Sequence, residues 1–208
     1  MANANAPRGL IPYRRTSGEP YNGAANIYYV PANVAVNLFV GDPILLVAGT
    51  ADGNGIPGVT IAAAGNGTDT GIATYGVMGA MVGIVSGGEP IIGIVQNSTV
   101  YHPASTAGYI LVADDPGLLF WAQENGNMAG TGPAGSYLGP GKNVDLASGT
   151  GSTTTGYSGW TLNSSSLSAN ALQMRVIRML EQADNALGSY AKWLCQINLS
   201  QLTSTTGT

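Results

Sequence analysis

Few side chains in these 208 residues can do chemistry: one histidine, one cysteine, seven Lys or Arg and eleven Asp or Glu. A Ser-His-acid triad would have to use His102, which stands before Pro103 with no Gly-x-Ser-x-Gly elbow anywhere in the chain, so a structural or surface histidine is the better reading. Asp114 and Asp115, with Glu124 nearby, offer carboxylates for a metal or for glycoside hydrolysis. Adjacent acids before Pro116-Gly117 fit a turn better. Asp52-Gly-Asn-Gly has the opening of a calcium loop but lacks its repeated acidic positions and closing glutamate. Cys195 alone makes neither an intrachain disulfide nor a cysteine-based zinc cluster. Gly-x-x-x-x-Gly-Lys-Ser/Thr and His-Glu-x-x-His are absent. The expectation is a protein without catalytic residues, without metal and without cofactor.

Binding is the remaining chemistry. Lys142 lies among the Gly-rich runs of residues 129–159, but no helix start follows to complete a phosphate site, so these read as mobile or partner-draped loops. Trp121, Trp160 and Trp193, with ten tyrosines, could form a sugar-stacking platform. Trp121 and Trp193 fall in expected strands and read as core, which leaves Trp160, in a polar stretch, as a possible secondary contact. Arg8, Arg14 and Arg15 concentrate three of the seven cations in the first 23 residues, among Pro7, Gly9, Pro12, Gly18 and Pro20, which oppose a continuous helix or central strand. Residues 1–23 therefore read as an extended basic arm. Leu10, Ile11 and Tyr13 beside the arginines suit a contact surface better than a solvated tail, so Arg8, Leu10, Tyr13, Arg14 and Arg15 are the candidate partner-binding residues. Residues 21–141 hold seven acids and no Lys or Arg, and an acidic body with one short basic arm points to a protein partner rather than to direct nucleic-acid binding.

The elements that would carry these residues are strands. With 44% hydrophobic residues, 31 Gly and 11 Pro, the chain favours short strands and many turns over disorder. Runs at 26–30, 37–40, 44–47 and 59–61 read as strands of a hairpin or meander, the last two joined through the reversal signals Asp52-Gly53 and Asn54-Gly55. Residues 75–96 are the most apolar window, with Gly79, Gly83 and Gly87 at helix-packing spacing. The uncharged part is about a dozen residues, short of the roughly 20 a spanning helix needs, so no membrane partner is expected. As a strand it sets Met78, Ala80, Val82 and Ile84 on one face and Val77, Gly79, Met81, Gly83 and Val85 on the other, where another backbone could approach.

Strands at 108–113 and 118–123 flank the hairpin-type sequence Asp114-Asp115-Pro116-Gly117. Residues 125–159 read as loops that add nothing to the core. Residues 172–182 align as a helix or a strand; the strand is preferred because 192–199, which alternates Trp193, Cys195, Ile197 and Leu199, would pair with it. Residues 183–188 would hold a turn or one short helix. The whole reads as a mainly β body, residues 24–208, an antiparallel sandwich or barrel with a loop-rich insertion around 125–170.

Charged residues make up 9% of the chain, where a soluble domain has about 25%. Charge keeps monomers apart, so much of this surface is expected to be covered in an assembly. The start, MANANAPRGL, lacks the charge-then-apolar pattern of a secretory signal, which implies synthesis in a cytoplasm.

The segments MANANAPRGLIPYRRTSGEPYNGAANIYYVPA, LFVGDPILLVAGTADGNGIP, VYHPASTAGYILVADDP, GSTTTGYSGWTLNSS and LQMRVIRMLEQADNALGSYAKWLCQINLSQL together resemble cement, or decoration, proteins of tailed bacteriophage heads. That resemblance implies a jelly-roll-like or barrel-like β body, small symmetric homo-oligomers, and a terminal arm lying across neighbours; of the oligomers, a trimer is expected before a dimer. It further implies a non-enzymatic virion protein on the capsid exterior, made in the bacterial host, whose partner is the major capsid protein. The alternative function is a carbohydrate-binding or adhesin-like β-module of a tail fibre.

Overall fold

Short apolar runs punctuated by Gly, Pro, Asn and Asp become twelve strands among the residues described by the computed structural model, which are 3–65, 71–85, 99–128 and 139–204. The fold is mainly β with antiparallel sheets, as expected. Five strands close a barrel in the order β2 (Asn26–Val30), β4 (Pro57–Ile61), β3 (Pro43–Ala51), β5 (Gly79–Val85) and β6 (Gly108–Ala113). Its neighbours are antiparallel except β2 and β4, which meet in parallel at Tyr29 and Gly58. Five more form an open sheet in the order β1 (Ile11–Arg15), β7 (Leu118–Gln123), β12 (Lys192–Ile197), β11 (Met174–Met179) and β8 (Asn143–Val144). β9 (Leu146–Ala147) and β10 (Thr161–Leu162) make a small separate pair.

Period-two alternation builds two principal cores from these strands. Val30, Ile44, Val59, Met81, Ile110 and Val112 fill the barrel. Ala80, Ala113 and the partly buried Leu45 and Val82 on the barrel's outside meet Phe120, Met174, Val176, Trp193 and Cys195 from the open sheet. On the sheet's other face Leu119, Leu180 and Leu194 form a smaller cluster with Trp121 against it.

Residues 172–182 resolve as a strand: β11 pairs antiparallel with β12, with Met174 opposite Ile197 and Val176 opposite Cys195. The β3–β4 reversal also forms where the Gly-rich turn places it, since Asp52 Oδ1 accepts the Asn54 and Ile56 N–H groups at 2.9 and 2.7 Å. Residues 183–188 hold a turn.

Several local expectations require correction. Residues 114–117 do form a turn, with Leu118 N–H donating to Asp115 O at 3.0 Å, but it joins no hairpin. β6 pairs with β2 and β5 whereas β7 pairs with β1 and β12, so the turn carries the chain out of the barrel and into the sheet. The two-face assignment of β5 fails at a bulge between Met81 and Gly83, which brings Ile84 onto the face of Met81 inside the barrel. Close backbone approach holds at Gly79, where a Cβ would lie 2.4 Å from Ala113 O; Gly83 faces only the Leu111 side chain, and Gly87 lies outside the described residues. Residues 37–40 make isolated bridges, Leu38 with His102 and Val40 with Tyr157, in place of a strand. Residues 125–159 supply core after all: Met128, Val144 and Leu146 are 1% exposed or less. The Gly-rich part at 129–138 lies outside the described residues.

Candidate contact surface

The N-terminal segment is woven into the body. β1 pairs with β7, Ile11 facing Trp121 and Arg15 facing Leu118, with a bulge between Pro12 and Arg14. Its other edge is covered by the chain's own return: Arg15 N–H donates to Glu19 O at 2.7 Å and Tyr21 N–H to Tyr13 O at 3.1 Å. Covering a sheet edge in this way removes the unpaired backbone groups through which strands aggregate. Residues 3–6 then cross the outer end of the sheet, where Gln123 donates to Ala4 O and accepts from Ala6 N–H, and Asn3 exchanges hydrogen bonds with Ala186. The strap expected to reach a neighbour thus lies, from residue 3 onward, on its own chain.

The five residues singled out on this segment have different fates. Leu10 is fully buried in the layer between barrel and sheet, out of reach of any partner. Arg14 is half-buried. Arg15 pairs with Asp115 at 3.0 Å, both partly exposed. Tyr13 is 43% exposed. The Arg8 guanidinium sits 4.7 Å from the centroid of the exposed Tyr157 ring. The β1 edge therefore presents Tyr13 and Arg15 outward, and Arg8 with Tyr157 forms a second outward pair.

The acids singled out in the sequence are committed to structure. Asp114 accepts from the Asn26 amide and from the Tyr28 hydroxyl, while burial and the Asp114 charge together push the Tyr28 phenol upward. Asp115 Oδ1 accepts from Gly117 N–H at 2.8 Å as its Arg15 pairing closes the turn. Asp52 is held below the usual carboxylate range by the Tyr109 hydroxyl and by turn N–H groups. Glu124 is fully buried, accepts from Met128 N–H and lies alongside the Trp193 indole; burial raises its pKa. His102 is also buried, and burial lowers its pKa. Among the described residues no group of three or more His, Cys, Asp or Glu is arranged to hold a metal ion, and no helix is long and apolar enough to cross a membrane.

Trp160 and Trp121 exchange the roles their surroundings in sequence suggest. Trp160 is 4% exposed and packs in the main core, its backbone N–H donating to Ser158 Oγ at 3.0 Å, so it forms no exposed platform on the outer surface. Trp121, in a strand, is only half-buried because it points to the outer sheet face, with Lys192 Nζ 6.0 Å from its ring centroid.

What the sequence did not signal is Asp42. It is 1% exposed, sits in the turn entering β3, and accepts from Phe39 N–H at 2.8 Å. Burial lifts its pKa to about 6, against the opposing hydrogen bonds from Ser158 and Phe39. A Gly-Asp-Pro turn gives no warning of this, because burial comes from residues 156–160 folding back over it.

The chain matches no protein-family model, no curated protein and no solved structure.

Proposed function

We propose that the protein is a non-enzymatic structural component of a tailed-phage virion that binds the outside of the capsid shell and bridges major coat subunits. The observation that carries this reading is a well-packed β body with hardly any charge to solvate. Charged residues are 9% of the chain, and three of the seven cations, Arg15, Arg178 and Lys192, are paired to acids of the same chain. The remaining surface of hydroxyls, amides, glycine and scattered apolar groups suits coverage by protein. Tyr13, Arg15 and Arg8 are the residues of the N-terminal segment positioned to reach a coat subunit, whereas Leu10 serves the fold. Homo-oligomerisation, as a trimer, would multiply weak contacts of this kind on a symmetric shell. A protein that binds only the assembled shell raises the shell's resistance to disruption by mass action.

The test is co-sedimentation of the purified chain with preformed empty shells of the phage that encodes it. Wild-type protein is expected to travel with the shells, and the Arg8→Ala/Tyr13→Ala variant to bind about tenfold more weakly while keeping its thermal midpoint. A folded wild-type chain that stays at the top of the gradient at saturating concentration would refute the reading.

A further inference from the structure

The turn at 36–42, the end of β4 and the loop at 148–153 surround a pocket of about 460 Å³. That volume falls in the range of small-molecule sites. Phe39, Ile61 and Trp160 supply apolar and aromatic wall, and Asp42 lies at the buried end. Ser148, Thr150 and Thr153 carry exposed hydroxyls at the rim, with Asn37 beside them.

The walls are preformed. A Cβ on Gly149 would lie 2.0 Å from Gly159 O, and one on Gly151 would lie 2.3 Å from the Phe39 ring, so glycine at both positions lets the loop lie flat on its neighbours. Phe39 is held from another side by Tyr101, their stacked rings 5.4 Å apart. The loop closes on itself, Ser152 N–H donating to Tyr157 O at 2.9 Å and Gly156 N–H to Ser152 O at 2.8 Å. A Ser/Thr/Gly sequence that reads as a mobile loop is therefore a fixed rim.

Among the described residues no Lys, Arg or His lines the pocket, so the lining offers no group to neutralise an anion. The carboxyl that lines it, Asp42, is already engaged by Phe39 N–H and is protonated more readily than an ordinary aspartate, which makes it a weak anchor for a cation. What the lining does offer is an aromatic and aliphatic wall beside several neutral hydrogen-bonding groups. We propose that this pocket binds a neutral saccharide ring, its C–H face against the Phe39, Ile61 and Trp160 wall and its hydroxyls bonded to Asn37, Thr150 and Thr153. On a virion exterior such a site would take a glycan of the cell surface, and it does so independently of shell binding.

The experiment titrates the full-length chain with a panel of neutral mono- and disaccharides, with choline and acetate as charged probes, followed by backbone amide NMR. At least one neutral saccharide is expected to give saturable shifts centred on Asn37, Thr150 and Thr153. The Thr150→Val/Thr153→Val variant is expected to weaken that binding about tenfold and to leave shell co-sedimentation unchanged. If that variant does not fold, the single Thr153→Val, exposed at the rim, serves the same comparison with a smaller expected loss. Absence of saturable shifts with every neutral saccharide, binding only of choline or acetate, or unchanged affinity in the folded rim variants would each overturn the proposal.

Discussion

Gly9 and Gly41 cross with their backbones in contact. A Cβ on Gly9 would lie 2.1 Å from Gly41 O, and one on Gly41 would lie 2.0 Å from Arg8 O. Both have left-handed φ values, +71° and +97°, and Leu10 N–H donates to Gly41 O at 2.8 Å. This crossing clips the N-terminal segment to the turn that enters β3. Gly9→Ala or Gly41→Ala is expected to cost about 2–4 kcal/mol, a backbone term of about 1 kcal/mol plus the separation of two main chains. Gly18 has a similar φ of +98° with nothing within 4 Å of its Cβ position, so Gly18→Ala keeps only the backbone term. Urea unfolding of the three variants measures the difference; equal midpoints would count against the crossing.

The N-terminal segment stabilises the fold through apolar burial, and its ion pair adds little. Leu10→Ala removes a fully buried side chain from the main core and is expected to destabilise by about 2–5 kcal/mol. Arg15→Ala breaks a pair whose side chains are 46% and 36% exposed, for which about 0–1 kcal/mol is expected. Thermal midpoints at about 0.01 M and about 1 M salt, between which the Debye length falls from about 30 to about 3 Å, separate the two because the ion pair is screened and the apolar contact is not. A larger loss for Arg15→Ala than for Leu10→Ala would reverse this ranking.

Asp42 makes stability depend on pH in a direction opposite to that of most paired carboxylates. Its pKa is about 6 in the fold, against about 3.9 for an unperturbed aspartate. The folded state therefore binds the extra proton, and the cost of burying the charge is present above pH 6 and gone below the unfolded value. Asp42→Asn removes that cost and is expected to stabilise the protein near pH 7.5 by up to about 3 kcal/mol, an advantage that shrinks as the pH falls through about 6 towards 4. His102, whose pKa is lowered by burial, opposes this trend in the wild-type curve because its protonation favours the unfolded chain. The difference between the two curves cancels His102 and isolates Asp42. An advantage for Asp42→Asn that grows on acidification would contradict the assignment.

Cys195 is fully buried in the layer between barrel and sheet, and burial drives its thiol pKa upward. A neutral, enclosed thiol is a poor nucleophile. Reaction with a disulfide reagent is expected to be negligible in native buffer and to appear in step with unfolding as denaturant is raised. Rapid stoichiometric labelling of the native protein would show that this layer opens.

Local pattern was enough for the elements whose sequence matches one environment along their whole length. β6 and β7 are short unbroken apolar runs bounded by turn sequences, and β11 pairs with β12, Val176 opposite Cys195 and Met174 opposite Ile197. The turn at Asp52-Gly53 announces itself because its side chain and its glycine act within five residues. Less of the candidate site was legible. Trp160 stands among Ser, Thr and Gly but is buried, since its environment comes from strands distant in sequence. Asp42 is hidden for the same reason, and the bulge at Met81/Gly83 turns on pairing with β6.

The opening stretch shows the division most clearly. By itself the sequence determined that residues 1–23, broken by proline and glycine, would be extended, that apolar groups would stand beside arginines, and that the chain would be a β protein with little charge. Only the tertiary structure decided that residues 3–15 lie on their own chain, with Leu10 in the core, Tyr13 and Arg15 outside, and β1 as a sheet edge. The reason is physical: extended backbone must find partners for its N–H and C=O groups, and which strand supplies them depends on the register of β7 and on the Gly9–Gly41 crossing, neither of which is a property of neighbours in sequence.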